Sequence, residues 1–535
     1  MFCKKRKFRK KAAVFFTAAL SAAVLFTACK SSDSSSDRSS EDSSSSSVEL
    51  VDYTIDTTSV IDPSDPFTDR DMEQDYDASE AETITLADGA SESSSSSVEM
   101  DGDTITITES GVYVISGTLS DGQIVVNGED IKVQLVLDGV SISNDSSACI
   151  YVPEAKKVFI TTTEESENSL TVSGDYVQTD DNNIDGVIFA KSNLTLNGTG
   201  SLTVTGMTGH GIVCKDDLAI TGGTISVTSS DHAISGKDSV RICGGTLDLT
   251  SDEDGIHSGN DDDDTVGWVY ISGGTIQIAV GDDGIHADLE VRIDGGTVHV
   301  TKGYEGIEGE VINVTDGTIT VVSSDDGFNS AGGSDTTESG MQDRFAQGPA
   351  GDTDDSAQMN FYGGTVTVTA DGDGLDSNGS LLVAGGTIYV SGPTDDGNGA
   401  LDYGTEAAVT GGTVIAAGSS GMAEGFGDSS TQGSILLNLS SSETGTVTLT
   451  DSDGNVLAEF TPERQYTSVV VSCSGITDGS SYTLTCGDSS TDITMDGIVY
   501  SSGSSPSQGG QMPGGQSQSG QMPGGGQKPN TSSEQ

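Results

Sequence analysis

Five short stretches set carboxylates beside a glycine: EDGIHSGN from 253, GDDGIHAD from 281, GYEGIEGE from 303, SDDGFNSAGG from 324 and DGDGLDSN from 371. None of them contains a lysine or arginine. If the stretches stack, Asp254, Asp283, Glu305, Asp326 and Asp373 form one column. His257, His286, Glu308, Asn329 and Asp376 form a second column beside it. Two unit charges about 4.8 Å apart repel by about 0.9 kcal/mol in water and by roughly 3.5 kcal/mol at an effective dielectric of 20. Such a ladder calls for protonation or a cation. Calcium suits it, because it takes six to eight oxygens with tolerant angles. The expected ligand set is Asp254, Asp283, Glu305, Glu308, Asp326, Asn329, Asp373 and Asp376, and the adjacent glycines would let backbone carbonyls approach the ion. The competing reading is a set of solvated Asp-Gly turns. The histidines offer too few nitrogen ligands at fixed spacing for zinc and are expected as solvated corner residues.

The column exists only if the chain repeats in space. A Gly-Gly-Thr or Asp-Gly-Thr triplet begins at 222, 244, 273, 295, 316, 363, 385 and 411. In the first six units the acidic motif follows eleven residues later. Aliphatic residues alternate on both sides of the triplet: Ile220 and Ile225, Ile242 and Leu247, Ile271 and Ile276, Ile293 and Val298. Ile234, Ile256, Ile285, Ile307, Phe328 and Leu375 add a third apolar position after the acidic motif. Period-two alternation broken by glycine corners means short strands with one inward face. A unit of about 22 residues with several inward aliphatics is one rung of an all-β, parallel β-helix, in which like stacks on like. The rungs are expected over 101–430, with insertions near 258–267 and 330–357. Residues 433–500 lose the period and read as antiparallel strands forming a small β cap or sandwich over the last rung, whose open edge would otherwise pair with other chains.

Residues 30–100 are rich in Ser, Asp and Glu and are expected as a disordered tether; 501–535 read as a low-complexity tail. Residues 1–29 carry a basic cluster, an apolar run and Thr27-Ala28-Cys29. This resembles a bacterial lipoprotein signal, which implies a lipid on Cys29 and a place on the extracellular face of the cell membrane. Cys473 and Cys486 flank a presumed hairpin turn and could form a disulfide. The formal net charge of −61 argues against nucleic acid, which needs clustered Lys and Arg. It fits cations, or acidic polymers bridged by them. Trp268 and Tyr270 fall at outward positions and are expected either to stack on sugar rings or to pack as a rim against the 258–267 insertion; Tyr304 is a further candidate for sugar stacking.

The stretches ITITESGVYVISGTLSDGQIVV (105–126), VQLVLDGVSISN (133–144), the GDDGIHAD and GGTVHVT rungs and LTDSDGNVLAEFTPERQYTSVVVS (449–472) resemble the carbohydrate-binding β-helix family first described from a cellulolytic clostridium. The resemblance implies a right-handed, pectate-lyase-like β-helix, bound calcium on the acidic column, and affinity for cellulose and acidic polysaccharides such as polygalacturonate, without catalysis. The expected protein is therefore a monomeric, lipid-anchored carbohydrate-binding protein. One alternative is a calcium-dependent polysaccharide lyase, for which Lys302 is the best-placed base and Arg241 and Arg292 the nearest other cations. The other is a structural adhesin in which calcium only stabilises the coil.

Overall fold

The computed structural model describes residues 59–64, 66–331 and 356–502, and all of its regular structure is β. The expected signal at 1–29 with Cys29, the tether up to residue 58, most of the 330–357 insertion and the tail beyond 502 lie outside the described residues.

The chain winds a parallel β-helix. Each coil contributes a strand before the glycine corner, one after it and a short one after the acidic motif. In one coil these are Trp268–Ile271, Thr275–Ala279 and the start of Ile285–Ile293. Register is kept from coil to coil: Val240 pairs with Val269, Leu247 with Ile276, and Ile256 with Ile285. The inward aliphatics therefore pile into three columns and are almost wholly excluded from water. A buried aliphatic side chain contributes about 1.5–3 kcal/mol, so the repeat supplies the driving force once per coil.

The two kinds of glycine have different reasons. The second glycine of each triplet, from Gly223 (φ 90°) to Gly412 (φ 79°), lies in the left-handed region that turns the corner. The glycine after each acidic position is needed for close approach between coils. A Cβ on Gly284 would stand 2.5 Å from the Gly306 carbonyl oxygen, and one on Gly306 would stand 2.2 Å from that of Gly327. These glycines let coil meet coil, a role different from the one expected for them beside an ion.

The tether does not extend through 59–100. Glu82–Leu86 pairs in parallel with Tyr113–Gly117 and begins the β-helix. Residues 59–64 and 66–77 run as a strap along an outer face. Ser59 Oγ and the Val60 N–H donate to Glu290, Arg241 Nη1 donates to the Pro66 carbonyl at 2.9 Å, and Phe67 packs on Tyr270 with ring centroids 6.3 Å apart. Asp71 is wholly buried between Lys157 Nζ and Thr195 Oγ1, each at 2.5 Å. Polar composition suggested a solvated segment. A few long-range contacts, Asp71 with Lys157 and Thr195 above all, with Ile61, Ile84 and Leu86 buried, made it part of the fold.

At the other end, Thr413–Gly418 pairs antiparallel with Tyr466–Ser472, so the last coil presents no open edge there. Val456–Phe460, Val447–Asp451, Ser481–Cys486 and Ser489–Thr494 form a separate four-stranded sheet. The Cys473–Cys486 disulfide is not formed. Tyr466–Ser472 and Ser481–Cys486 do not pair as a hairpin but belong to different sheets, and both cysteines are free thiols buried in the cap core.

Candidate functional site

The acidic motifs stand in line. The Gly255 N–H donates to the Asp283 carbonyl, Gly284 to Glu305, Gly306 to Asp326 and Gly327 to Asp373, at 2.9–3.1 Å. The column is longer than the carboxylate series. His210 and His232 occupy its first positions, because Gly211 donates to the His232 carbonyl and Ala233 to that of Asp254. Side chains in the column accept from the backbone of the following coil. The His232 N–H meets His210 Nδ1 at 3.1 Å and Asp283 N–H meets Asp254 Oδ1 at 3.0 Å; His232 Nδ1 lies 3.2 Å from the Asp254 backbone nitrogen, whose N–H it accepts only when it carries no proton. Asp373 N–H meets Asp326 Oδ1 at 2.5 Å. Beside it the second column runs Ser235, His257, His286, Glu308, Asn329, Asp376 and Asp402.

The two ends differ in chemistry. At the first end four imidazoles stack: His210 on His232 at 5.0 Å, His232 on His257 at 4.2 Å, and His257 on His286 at 5.1 Å between centroids. They are not solvated corner residues; His286 is 2 % exposed and the other three are half-buried. Asp254, itself 3 % exposed, holds its Oδ2 3.1 Å from His232 Nδ1 and 2.9 Å from His257 Nδ1. Burial works against its charge, yet the two imidazoles outweigh burial and hold it well below the usual carboxylate range. His286 lies 2.8 Å from Glu308 Oε2 and 3.4 Å from Asp283 Oδ2. Burial disfavours its charge too, but Asp283, Asp288 and Glu308 raise its pKa well above the ordinary value. The signal for this ladder was present in GHGI and DHAI, where histidine precedes the small residue at the place Asp or Glu holds elsewhere.

Farther along, cations run out. Asp326, Asp373 and Asp376 each offer an oxygen within 4.8 Å of the others, and no Lys, Arg or His pairs with them among the described residues. Burial first, then neighbouring carboxylates, push Asp326 up to about 7 and Asp373 up to about 8, and hold Asp376 well above the ordinary range. Glu305 is raised in the same way, with Asn329 Nδ2 donating to it at 2.9 Å. Of the expected calcium ligands, Asp254 and Asp283 thus already face imidazoles and Glu308 faces His286. Asp326, Asp373 and Asp376 form an all-oxygen group that fits a hard divalent cation. The other close groups, His210–His232–Glu253, His232–Asp254–His257 and Asp283–His286–Glu308, mix nitrogen with oxygen.

The remaining expected residues are scattered. Tyr270 points away from the core but is 4 % exposed under the strap, with its hydroxyl 3.1 Å from Asp294 Oδ2, so it presents no face to a sugar. Trp268 is half-buried beside Ser239 and Glu290, while Tyr304 is half-buried at the acidic corner, its N–H donating to the Asp282 carbonyl. Arg241 is tied to the strap and Arg292 to Asp294 at 2.9 Å, which leaves Lys302 exposed at the end of its strand.

Residues 101–348 match a family model described as carbohydrate-binding domain-containing protein. A curated protein of that description from Acetivibrio thermocellus is 42 % identical over 126 residues, which is 23 % of this chain and 44 % of that protein. The chain thus spans less than half the length of that relative. A solved structure, the gadolinium derivative of the polysaccharide lyase-like protein from C. thermocellum, is 35 % identical and covers 44 % of this chain and 96 % of that one, with a TM-score of 0.42. The family match covers the 105–126, 133–144, GDDGIHAD and GGTVHVT stretches that carried the resemblance in the sequence, and ends before 449–472.

Proposed function

We propose, from the match of residues 101–348 to the carbohydrate-binding domain family model, that the protein is a non-catalytic binder of plant-type polysaccharides, held by an N-terminal lipid on Cys29 at the extracellular face of a bacterial membrane. Its ligands are cellulose or acidic glycans such as polygalacturonate. Calcium is held by Asp326, Asp373 and Asp376, with Glu305 and Asn329 alongside. The ion neutralises the carboxylates and offers its remaining positions to uronate oxygens. The observation that carries this reading is the all-oxygen group of Asp326, Asp373 and Asp376 with no cationic partner among the described residues, in line with the family-matched coils.

The protein's own residues do the positioning. The Gly327 N–H donates to the Asp373 carbonyl and so sets the spacing of the two coils, while the Asp373 N–H fixes one Asp326 oxygen. The test is retention on insoluble polygalacturonate and cellulose, with calcium and with EDTA. Retention on polygalacturonate is expected with calcium only. Equal retention in EDTA would remove the bridging role.

A further inference from the structure

We infer that a cavity between the last coil and the cap is a second carbohydrate site, one that takes a neutral hexopyranose unit and needs no calcium. The cavity measures about 380 Å³ and lies outside the family-matched segment. That size falls at the lower end of small-ligand sites, about 300–1,000 Å³.

Its walls come from separate parts of the chain: Tyr403 at the end of the last short coil strand, Glu424 and Phe426 from the following loop, Leu436 from the first cap strand and Tyr500 from the final strand. Phe426 and Leu436 are anchored in the main core. Tyr403 and Tyr500 are half-buried, and the Tyr403 hydroxyl donates to the Gly425 carbonyl at 2.8 Å, which fixes that ring. Aromatic and aliphatic walls suit the apolar faces of a pyranose. The polar requirement is equally specific. Glu424 Oε2 is buried and has no hydrogen-bond partner among the described residues, and a buried acceptor left unsatisfied is unfavourable. A ligand hydroxyl supplies the missing donor.

Charge narrows the ligand. Asp428 also lines the cavity, no lysine or arginine does among the described residues, and Asp402 bears electrostatically on Glu424. A uronate would meet carboxylates with nothing to neutralise it, so the ligand is an uncharged sugar. This inference rests on the carbohydrate-binding reading of the chain but not on its calcium column.

Calorimetry on the full chain with cellotetraose and with trigalacturonate, each in calcium and in EDTA, tests it. Cellotetraose is expected to bind equally in both buffers. Tyr500→Ala and Glu424→Ala are expected to weaken it at least tenfold while leaving calcium-dependent trigalacturonate binding unchanged; Tyr500→Ala, which also removes packing on the cap core, is expected to lower the melting temperature, and Glu424→Ala is not. Glu424→Gln, which keeps an acceptor oxygen, is expected to retain most of the affinity. Cellotetraose binding that survives both alanine variants, or that vanishes in EDTA, would overturn the cavity as the site. Trigalacturonate binding without any cellotetraose binding would overturn this inference alone; no binding of either sugar would overturn the column reading as well.

Discussion

The two ends of the acidic column share one backbone and one register, yet they solve the same electrostatic problem in opposite ways. From His210 to His286 the protein supplies imidazoles of its own. His232 and His286, whose charged forms nearby carboxylates favour, alternate in the stack with His210 and His257, which burial and neighbouring imidazoles hold toward the neutral form. Together they enclose Asp254 and reach Asp283 and Glu308. From Glu305 to Asp402 it brings more carboxylates, with the Asn329 amide as a neutral donor to Glu305. Stacking supplies proximity, and the residue type at each position decides whether proximity is self-neutralising or waits for something from outside.

The contrast is sharpest for stability. At the imidazole end, Asp254→Asn leaves His232 and His257 without their shared carboxylate; a loss of about 3 kcal/mol is expected, in the range for breaking buried pairs, read by chemical denaturation. Calcium at a hundred times its dissociation constant should stabilise the native protein by about 2.7 kcal/mol. Replacing Asp326, Asp373 and Asp376 by Asn should remove that gain, whereas His257→Ala should leave it intact; melts with and without calcium decide. In EDTA near pH 8, Asp373→Asn should raise stability by up to about 1 kcal/mol by removing a carboxyl whose charged form burial and then Asp326 disfavour, the opposite sign to Asp254→Asn. A destabilised Asp373→Asn in EDTA would mean that the two ends are alike.

The smallest effect is the pH dependence. Asp326 and Asp373 are raised to about 7 and about 8 in the folded chain. The folded state therefore binds more protons than the unfolded one between the ordinary carboxylate range and pH 8, and stability without metal falls as pH rises through that window. Melting temperatures in EDTA are expected to drop by a few degrees from pH 5 to pH 8. Calcium, which displaces those protons, should flatten or reverse the trend. A melting temperature that rises with pH in EDTA would contradict the raised carboxyls.

Much of this was readable in advance. Gly-Gly-Thr triplets and alternating aliphatics at a 22-residue period leave little choice but a stacked coil, and the coil puts Asp326, Asp373 and Asp376 together. The strap was not readable, because its partners lie far away in sequence: Asp71 meets Thr195, and Ser59 meets Glu290. No local pattern marks such contacts, and a Ser/Asp/Glu-rich stretch resembles a solvated one until its charges find partners. Tyr270 shows the consequence. Period-two alternation correctly turned it away from the core, but only the strap's path could bury it.

What the amino-acid order decided by itself is the repeat. Positions one coil apart must superimpose, since apolar columns can be buried in no other register, and so the chemistry of each column can be written down residue by residue. What only the folded molecule decided is which side chains meet across columns and across long sequence gaps: His232 against His257, the strap against the coil, and the cavity where the last coil meets the cap. Those meetings depend on side-chain reach and chain path, which the repeat constrains at no single residue.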